Sequence, residues 1–146
     1  MSFLLVLSSN IELKSSTYSL QDNILYLGYS NGSIKKINFN KDLIKEEDFA
    51  NIPLSVNGLS IAGNYILAQD GSGSWNTHYT FNKNGQKIDS KDWNRYSKYY
   101  AWDNINNRLY YFRDGTSPND LHYEIIDQND GTISNDYETP YHMDYK

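Results

Sequence analysis

The sequence predicts an all-β chain of about three four-stranded antiparallel sheets, and two observations support this prediction. The first is composition, since aromatic residues make up 15% of the 146 residues and tyrosine alone occurs 14 times. Aromatic side chains favour the half-buried surface of a sheet. The second is a pattern of short alternating strands separated by turn residues, which occurs three times along the chain. We find no segment with the apolar period of a helix.

Each repeated unit begins with an asparagine, continues with a short apolar strand and ends that strand with an Asx-Gly pair. The three asparagines are Asn23, Asn64 and Asn107, and the pairs are Asn31-Gly32, Asp70-Gly71 and Asp114-Gly115. The next strand carries Ile37, Tyr79 or Tyr123, which are 42 and then 44 residues apart. Because a His-Tyr pair recurs at 78–79 and 122–123, we expect His78 and His122 to occupy equivalent strand positions.

A period in the forties with alternating strands is typical of β-propeller blades. A single four-stranded sheet has two apolar faces, and stacking such sheets around an axis buries both of them. We therefore expect one domain over residues 1–146, with blades at about 12–50, 56–91 and 97–138. Flanking strands are expected at 3–7 and 139–145, and the outer strand of the third blade is expected to begin at Thr132.

Three blades are fewer than the minimum of about four that a closed propeller needs. Two arrangements remain open. Further blades lie beyond Lys146, or the chain self-associates, for example as two copies that form a six-bladed ring. In either case the open ends would expose strands that invite pairing with another chain.

The wording of the third unit, Tyr111-Phe-Arg-Asp-Gly-Thr-Ser-Pro-Asn-Asp-Leu-His-Tyr123, resembles bacterial β-propeller repeat proteins with blades of the WD-repeat and YVTN type. The resemblance covers residues 15–145 as a pattern. The Gly-His and Trp-Asp signatures of WD repeats are absent, as is the Tyr-Val-Thr-Asn tetrapeptide. The resemblance implies a scaffold for binding and does not by itself imply a reaction.

In propellers of this kind, the loops between the second and third strands share one face with the crossings between blades, and that face carries the binding site. The candidate ligand-binding residues on this face are Asp70, Trp75, Trp93, Tyr96, Arg113, Asp114 and His142. Aromatic rings beside carboxylates suit a sugar or a peptide. The alternative interpretation is that the Asx-Gly pairs only make turns and the tryptophans only fill gaps between blades.

The sequence has no catalytic constellation, so we expect a non-catalytic binding or interaction module with a protein or carbohydrate ligand. One alternative is a carbohydrate-active propeller, either a lectin or a glycosidase. A glycosidase needs two carboxylates that face each other across a sugar bond, for which Asp70 and Asp114 are the candidates. Another alternative is a purely structural repeat of a surface or virion protein.

Charge and composition exclude several other classes. The net charge of −5 argues against a nucleic-acid partner, which would need a basic face. The absence of cysteine excludes disulfides, and the three histidines lack metal-ligand spacing, so no metal site and no cofactor are expected. No stretch approaches the ~20 apolar residues of a membrane span, and the start is interpreted as a strand rather than a signal peptide, which predicts a soluble chain.

Overall fold

A computed structural model of the chain describes residues 10–71, 76–93, 97–113 and 119–143. For residues 93, 97–99, 119, 142 and 143 it describes the backbone alone. The described residues form twelve strands and no helix. The predicted all-β class with three four-stranded antiparallel sheets is therefore confirmed. The predicted flanking strand at 3–7 lies outside the described residues.

Each sheet is a meander in which consecutive strands are hydrogen-bonded neighbours. The first sheet contains β1 (Leu13–Ser19), β2 (Ile24–Tyr29), β3 (Ser33–Asn38) and β4 (Glu46–Asn51). The second contains β5 (Val56–Ala62), β6 (Tyr65–Asp70), β7 (Asn76–Phe81) and β8 (Lys87–Trp93). The third contains β9 (Ser97–Asp103), β10 (Arg108–Arg113), β11 (Asn119–Ile125) and β12 (Tyr137–Met143).

The second sheet lies between the other two and buries both of its faces. All six residues of β6 are buried, and the first four alternate between two hydrophobic cores. Ile66 and Ala68 pack against the first sheet, whereas Tyr65 and Leu67 pack against the third. This alternation follows from the two-residue period of a strand. The first strand of the second sheet, β5, contacts both β1 and β9, so the first strands of the three sheets lie side by side.

The apolar pattern of the sequence fills both cores. The core between the first and second sheets contains the buried residues Tyr26, Ile34, Ile52, Val56, Ile66, Ala68, Tyr79 and Phe81. The core between the second and third sheets contains the buried residues Ala62, Tyr65, Leu67, Leu109, Tyr111, Ile126 and Ile133. Neighbouring sheets are thus joined by packed side chains, as stacked sheets require.

The prediction for the end of the third sheet is wrong. Its fourth strand is β12, which pairs with β11, so residues 139–143 are part of the third sheet and not a flanking strand. Ile133, predicted in the outer strand, makes only an isolated bridge to Ile126. Its side chain is buried in the core between the second and third sheets. Its backbone N–H donates to Asp89 Oδ2 of the second sheet at 2.8 Å. These contacts hold Ile133 against the second sheet, so the last strand of the third sheet begins only at Tyr137.

The expected equivalence of His78 and His122 is also wrong, by one residue. His78 pairs with Gln69 of β6, whereas His122 pairs with Tyr111 of β10. Gln69 is the fifth residue after Asn64, whereas Tyr111 is the fourth residue after Asn107. A one-residue offset in a strand reverses the face on which a side chain lies. The side chain of His78 therefore faces the third sheet, and the side chain of His122 faces the second sheet.

Candidate functional site

The interface between the second and third sheets contains a buried polar network. His78 Nδ1 is 2.5 Å from Glu124 Oε1, and both side chains are fully buried. His78 Nε2 is 3.2 Å from the hydroxyl of Tyr100, so this histidine connects two strands of the neighbouring sheet. The ring of Tyr111 contacts His78 edge-on and stacks on His122. Buried polar groups must be paired in this way, because an unpaired one costs free energy.

Asp136, just before β12, is the second centre of this network. Its carboxylate accepts a hydrogen bond from the Tyr111 hydroxyl at 2.5 Å and another from Arg113 Nη1 at 2.7 Å. His122 Nδ1 lies 3.0 and 3.1 Å from the two oxygens. Burial raises the pKa of Tyr111 well above its ordinary value, and the charges of Glu124 and Asp136 raise it further. The Tyr111 hydroxyl therefore stays a donor to Asp136 at all ordinary pH values.

A group of possible metal ligands adjoins this network. The ligating atoms of Asp120, His122 and Glu138 all lie within 4.8 Å of one another. His122 is buried, Asp120 is half-buried and Glu138 is exposed. Asp120 and His122 lie on β11, and Glu138 pairs with His122 from β12. The sequence did not suggest this group, because Glu138 meets Asp120 and His122 only through the pairing of β12 with β11, which was not predicted.

Asp70, predicted as a ligand-binding residue in a turn, is instead a buried member of β6. Its Oδ1 accepts a hydrogen bond from the Thr77 backbone N–H at 2.8 Å, and its Oδ2 accepts one from the Tyr79 hydroxyl at 3.2 Å. Both oxygens thus connect β6 to β7. Asp70 is only 3% exposed, which leaves little of the carboxylate for a ligand.

Arg113, the other predicted site residue whose side chain is described, is half-buried at the end of β10 and pairs with Asp136. Asp70 and Arg113 share no hydrogen-bond partner among the described residues. Trp75, Tyr96 and Asp114 lie outside the described residues. Trp93 ends β8, and the backbone of His142, in β12, pairs with that of Asp120 in β11. Convergence of the seven predicted residues on one pocket therefore stays a prediction.

A separate cavity of about 270 Å³ lies where the first strands of the sheets meet. It is lined from β1, β5, β6 and β9 by Ser15, Ser16, Asn57, Gly58, Leu59, Ser60, Leu67, Gln69 and Tyr100. The lining offers hydroxyl and amide groups beside one aromatic ring, and none of these residues carries a charge. Sequence reasoning missed this cavity, because the small residues Ser15, Ser16 and Ser60 carry no chemical signature of their own.

Comparison with known proteins finds no protein-family model and no curated protein that matches this chain. Within the described residues, no helix has the length and apolarity that a membrane crossing needs.

Proposed function

We propose that this chain is a non-catalytic binding and interaction module built on three blades of the β-propeller type. The support is the arrangement of the sheets, in which each is a four-stranded meander and the first strands lie side by side. A propeller places the first strands of its blades around the central axis in the same way. The function of such a scaffold is to present loops and faces rigidly to a partner.

The observation that carries this proposal is the aromatic face of the third sheet that points away from the second. Tyr110, Tyr123 and Tyr137 lie opposite one another on β10, β11 and β12. The Tyr110 and Tyr123 ring centroids are 5.5 Å apart, and those of Tyr123 and Tyr137 are 5.1 Å apart. The guanidinium of Arg108 lies 4.6 Å from the Tyr123 centroid, and Tyr137 is 43% exposed. Aromatic residues and arginine are the side chains enriched at protein interfaces.

We propose that a second copy of this chain covers that face with its own first sheet. The first sheet also presents large apolar side chains on the face that points away from the second sheet. Leu13 is 56%, Tyr18 is 44% and Phe39 is 42% exposed there. Two three-bladed copies joined at both ends make a six-bladed ring, a number within the usual range of propellers. The ring would bury both aromatic and apolar end faces, in the way that the second sheet is buried within one chain.

Light scattering coupled to size-exclusion chromatography tests this proposal. We expect a mass near twice 17.0 kDa for the unmodified chain. Tyr137→Glu places a charge in the aromatic face, and we expect its mass to fall towards that of one chain. Ile105→Glu is the matched control, because Ile105 is 85% exposed in the turn between β9 and β10, away from that face. A single-chain mass for the unmodified protein at all concentrations would overturn the ring.

A second candidate function, carbohydrate binding without hydrolysis, is favoured by the neutral cavity along the first strands. Hydroxyl and amide groups beside the Tyr100 ring suit the alternating hydroxyls and apolar patches of a sugar. No carboxylate is among the described residues that line the cavity, and both oxygens of Asp70 are engaged within the second sheet. This favours a lectin over the glycosidase alternative, which needs two accessible carboxylates.

Saturation-transfer NMR with a panel of neutral mono- and disaccharides tests the second candidate. Ser60→Leu fills the cavity, and we expect it to abolish the transfer seen with the unmodified chain. Ser90→Leu makes the same change on the exposed part of β8 and should leave the transfer unchanged. Equal transfer to Ser60→Leu and to the unmodified protein would rule out the cavity as the sugar site.

A further inference from the structure

The group formed by Asp120, His122 and Glu138 has a feature that an ordinary surface cluster lacks. His122 is only 5% exposed, although the other two members of the group are half-buried or exposed. Its Nδ1 is committed to Asp136, which is not a member of the group. Among the described residues, Nε2 of this buried ring has no hydrogen-bond partner. An imidazole nitrogen without a protein partner can accept a hydrogen bond from water or bind a metal ion.

The contact with Asp136 selects which ring nitrogen of His122 donates a hydrogen bond. A carboxylate at 3.0 Å accepts the proton of Nδ1, so the neutral tautomer presents a lone pair on Nε2. Metal-binding histidines are held in this way by a carboxylate behind the ring, which fixes both the tautomer and the ring orientation. Here the supporting carboxylate is itself fixed by Tyr111 and Arg113, which donate to it at 2.5 and 2.7 Å.

The carboxylates of Asp120 and Glu138 supply the other two candidate ligands. Asp120 precedes His122 by two residues on β11, so both side chains lie on one face of the strand. Glu138 reaches the same face because it pairs directly with His122. The ligating atoms of all three residues lie within 4.8 Å of one another, which is close enough for one ion to contact each of them.

We propose that Asp120, His122 and Glu138 bind one divalent transition-metal ion, with Asp136 as the positioning residue behind His122. One imidazole nitrogen and two carboxylate oxygens suit Zn²⁺ or Mn²⁺ and do not select for copper, which prefers more nitrogen or sulfur. Three protein ligands leave a fourth position open for water or for a group of the bound partner. The ion would cross-link the edge strand β12 to β11. This proposal is independent of the proposed binding function.

Isothermal titration calorimetry of the full chain with ZnCl₂ and with MnCl₂ tests the site. We expect one ion per chain for at least one of the two metals. Asp120→Asn and Glu138→Gln keep the size of each side chain and remove a charged ligand, so each should weaken binding at least tenfold. Asp136→Asn should weaken it by about 10- to 100-fold, which is the usual effect of losing the group behind a metal-bound histidine.

Asp48→Asn is the matched control, because Asp48 is a 96% exposed carboxylate on another edge strand, β4. We expect it to change the affinity less than twofold. Circular dichroism confirms that each variant keeps its strands, and thermal melting with Zn²⁺ gives a second readout, a rise in melting temperature that Glu138→Gln abolishes. Absence of one-to-one binding for both metals would overturn the proposal, as would an Asp48→Asn variant that loses affinity as much as Asp120→Asn.

Discussion

The hydroxyl groups of two buried tyrosines have opposite effects on the stability of the fold. The hydroxyl of Tyr26 is buried in the first core without a hydrogen-bond partner among the described residues. The hydroxyl of Tyr111 donates to the carboxylate of Asp136 in the second interface. Leaving a buried hydroxyl unpaired costs free energy, whereas a hydrogen bond to a charged acceptor stabilises the fold.

Removing each hydroxyl therefore has a predictable sign. We expect Tyr26→Phe to leave the free energy of unfolding unchanged or to raise it by about 1 kcal/mol. Tyr111→Phe loses a hydrogen bond to a charged group and should cost about 1.5–3 kcal/mol. Urea denaturation of both variants measures these changes. A larger loss for Tyr26→Phe than for Tyr111→Phe would contradict the assignment of partners.

The loss of stability at alkaline pH provides a second test of the burial of the Tyr26 hydroxyl. Burial, with a smaller effect of the Asp22 charge, raises the pKa of Tyr26 to about 12 in the folded chain, from 10.0. Above pH 10 the unfolded chain ionises this phenol and the folded chain does not, so folding stability falls as the pH rises towards 12. The group contributes up to about 1.4 kcal/mol of this loss per pH unit. Tyr26→Phe should lose less stability than the unmodified chain between pH 9 and 11, measured by urea denaturation at each pH.

At the scale of elements, the turn between β7 and β8 joins the first two sheets. Lys83 in this turn pairs with Asp22 in the turn between β1 and β2, and hydrogen bonding to Lys83 lowers the pKa of Asp22. Gly85 has a φ of +83°, and a Cβ atom at this position would lie 2.0 Å from the backbone oxygen of Phe49 in β4. The turn can approach β4 so closely only because residue 85 has no side chain.

We therefore expect Gly85→Ala to lower the stability, and a substitution of the neighbouring Asn84 to have little effect on it. Gly85→Ala combines an unfavourable φ with a clash against backbone, and it should lower the free energy of unfolding by roughly 1–3 kcal/mol. Asn84→Ala alters an exposed residue of the same turn, so it should change the stability by less than about 0.5 kcal/mol. Thermal or urea denaturation checks both, and equal effects of the two substitutions would contradict the close approach.

The elements that local signals specify were predictable from the sequence, and those that long-range contacts specify were not. Asn31-Gly32 predicted the hairpin between β2 and β3, where Gly32 has a φ of +88°. Asn23 and Asn107 adopt the left-handed turn that asparagine favours, although Gly63 takes this conformation in the second unit. The start of β12 depends on Ile133 and Asp136, whose partners lie on other strands, so no local pattern indicated it.

The candidate site was less predictable for the same reason. His78 and Glu124 are 46 residues apart, and their contact depends on the register of two different sheets. The repeated His-Tyr pair suggested a shared role, but the one-residue offset places His78 and His122 on opposing sheets of one interface. Of the seven predicted residues, Arg113 joins the polar network through Asp136, and Asp70 instead connects β6 to β7.

At the scale of the whole molecule, the end faces of the three-sheet stack are the surfaces that the proposed ring would close. The second sheet is covered on both sides within the chain, and each core is filled by side chains of two sheets. The outward aromatic face of the third sheet is the surface that a further blade would cover. The proposed closure of a ring by a second copy would cover the exposed side chains Leu13, Tyr18 and Tyr137, which lie on the outward faces of the first and third sheets.

Small-angle X-ray scattering from the size-exclusion peak tests this claim most directly. Closure at both ends predicts a flat, disc-like particle of two chains whose distance distribution has a single symmetric peak. Tyr137→Glu should convert it to the profile of a single three-sheet arc. An elongated particle, in which two chains meet at one end only, or a single-chain profile for the unmodified protein would contradict the six-bladed ring.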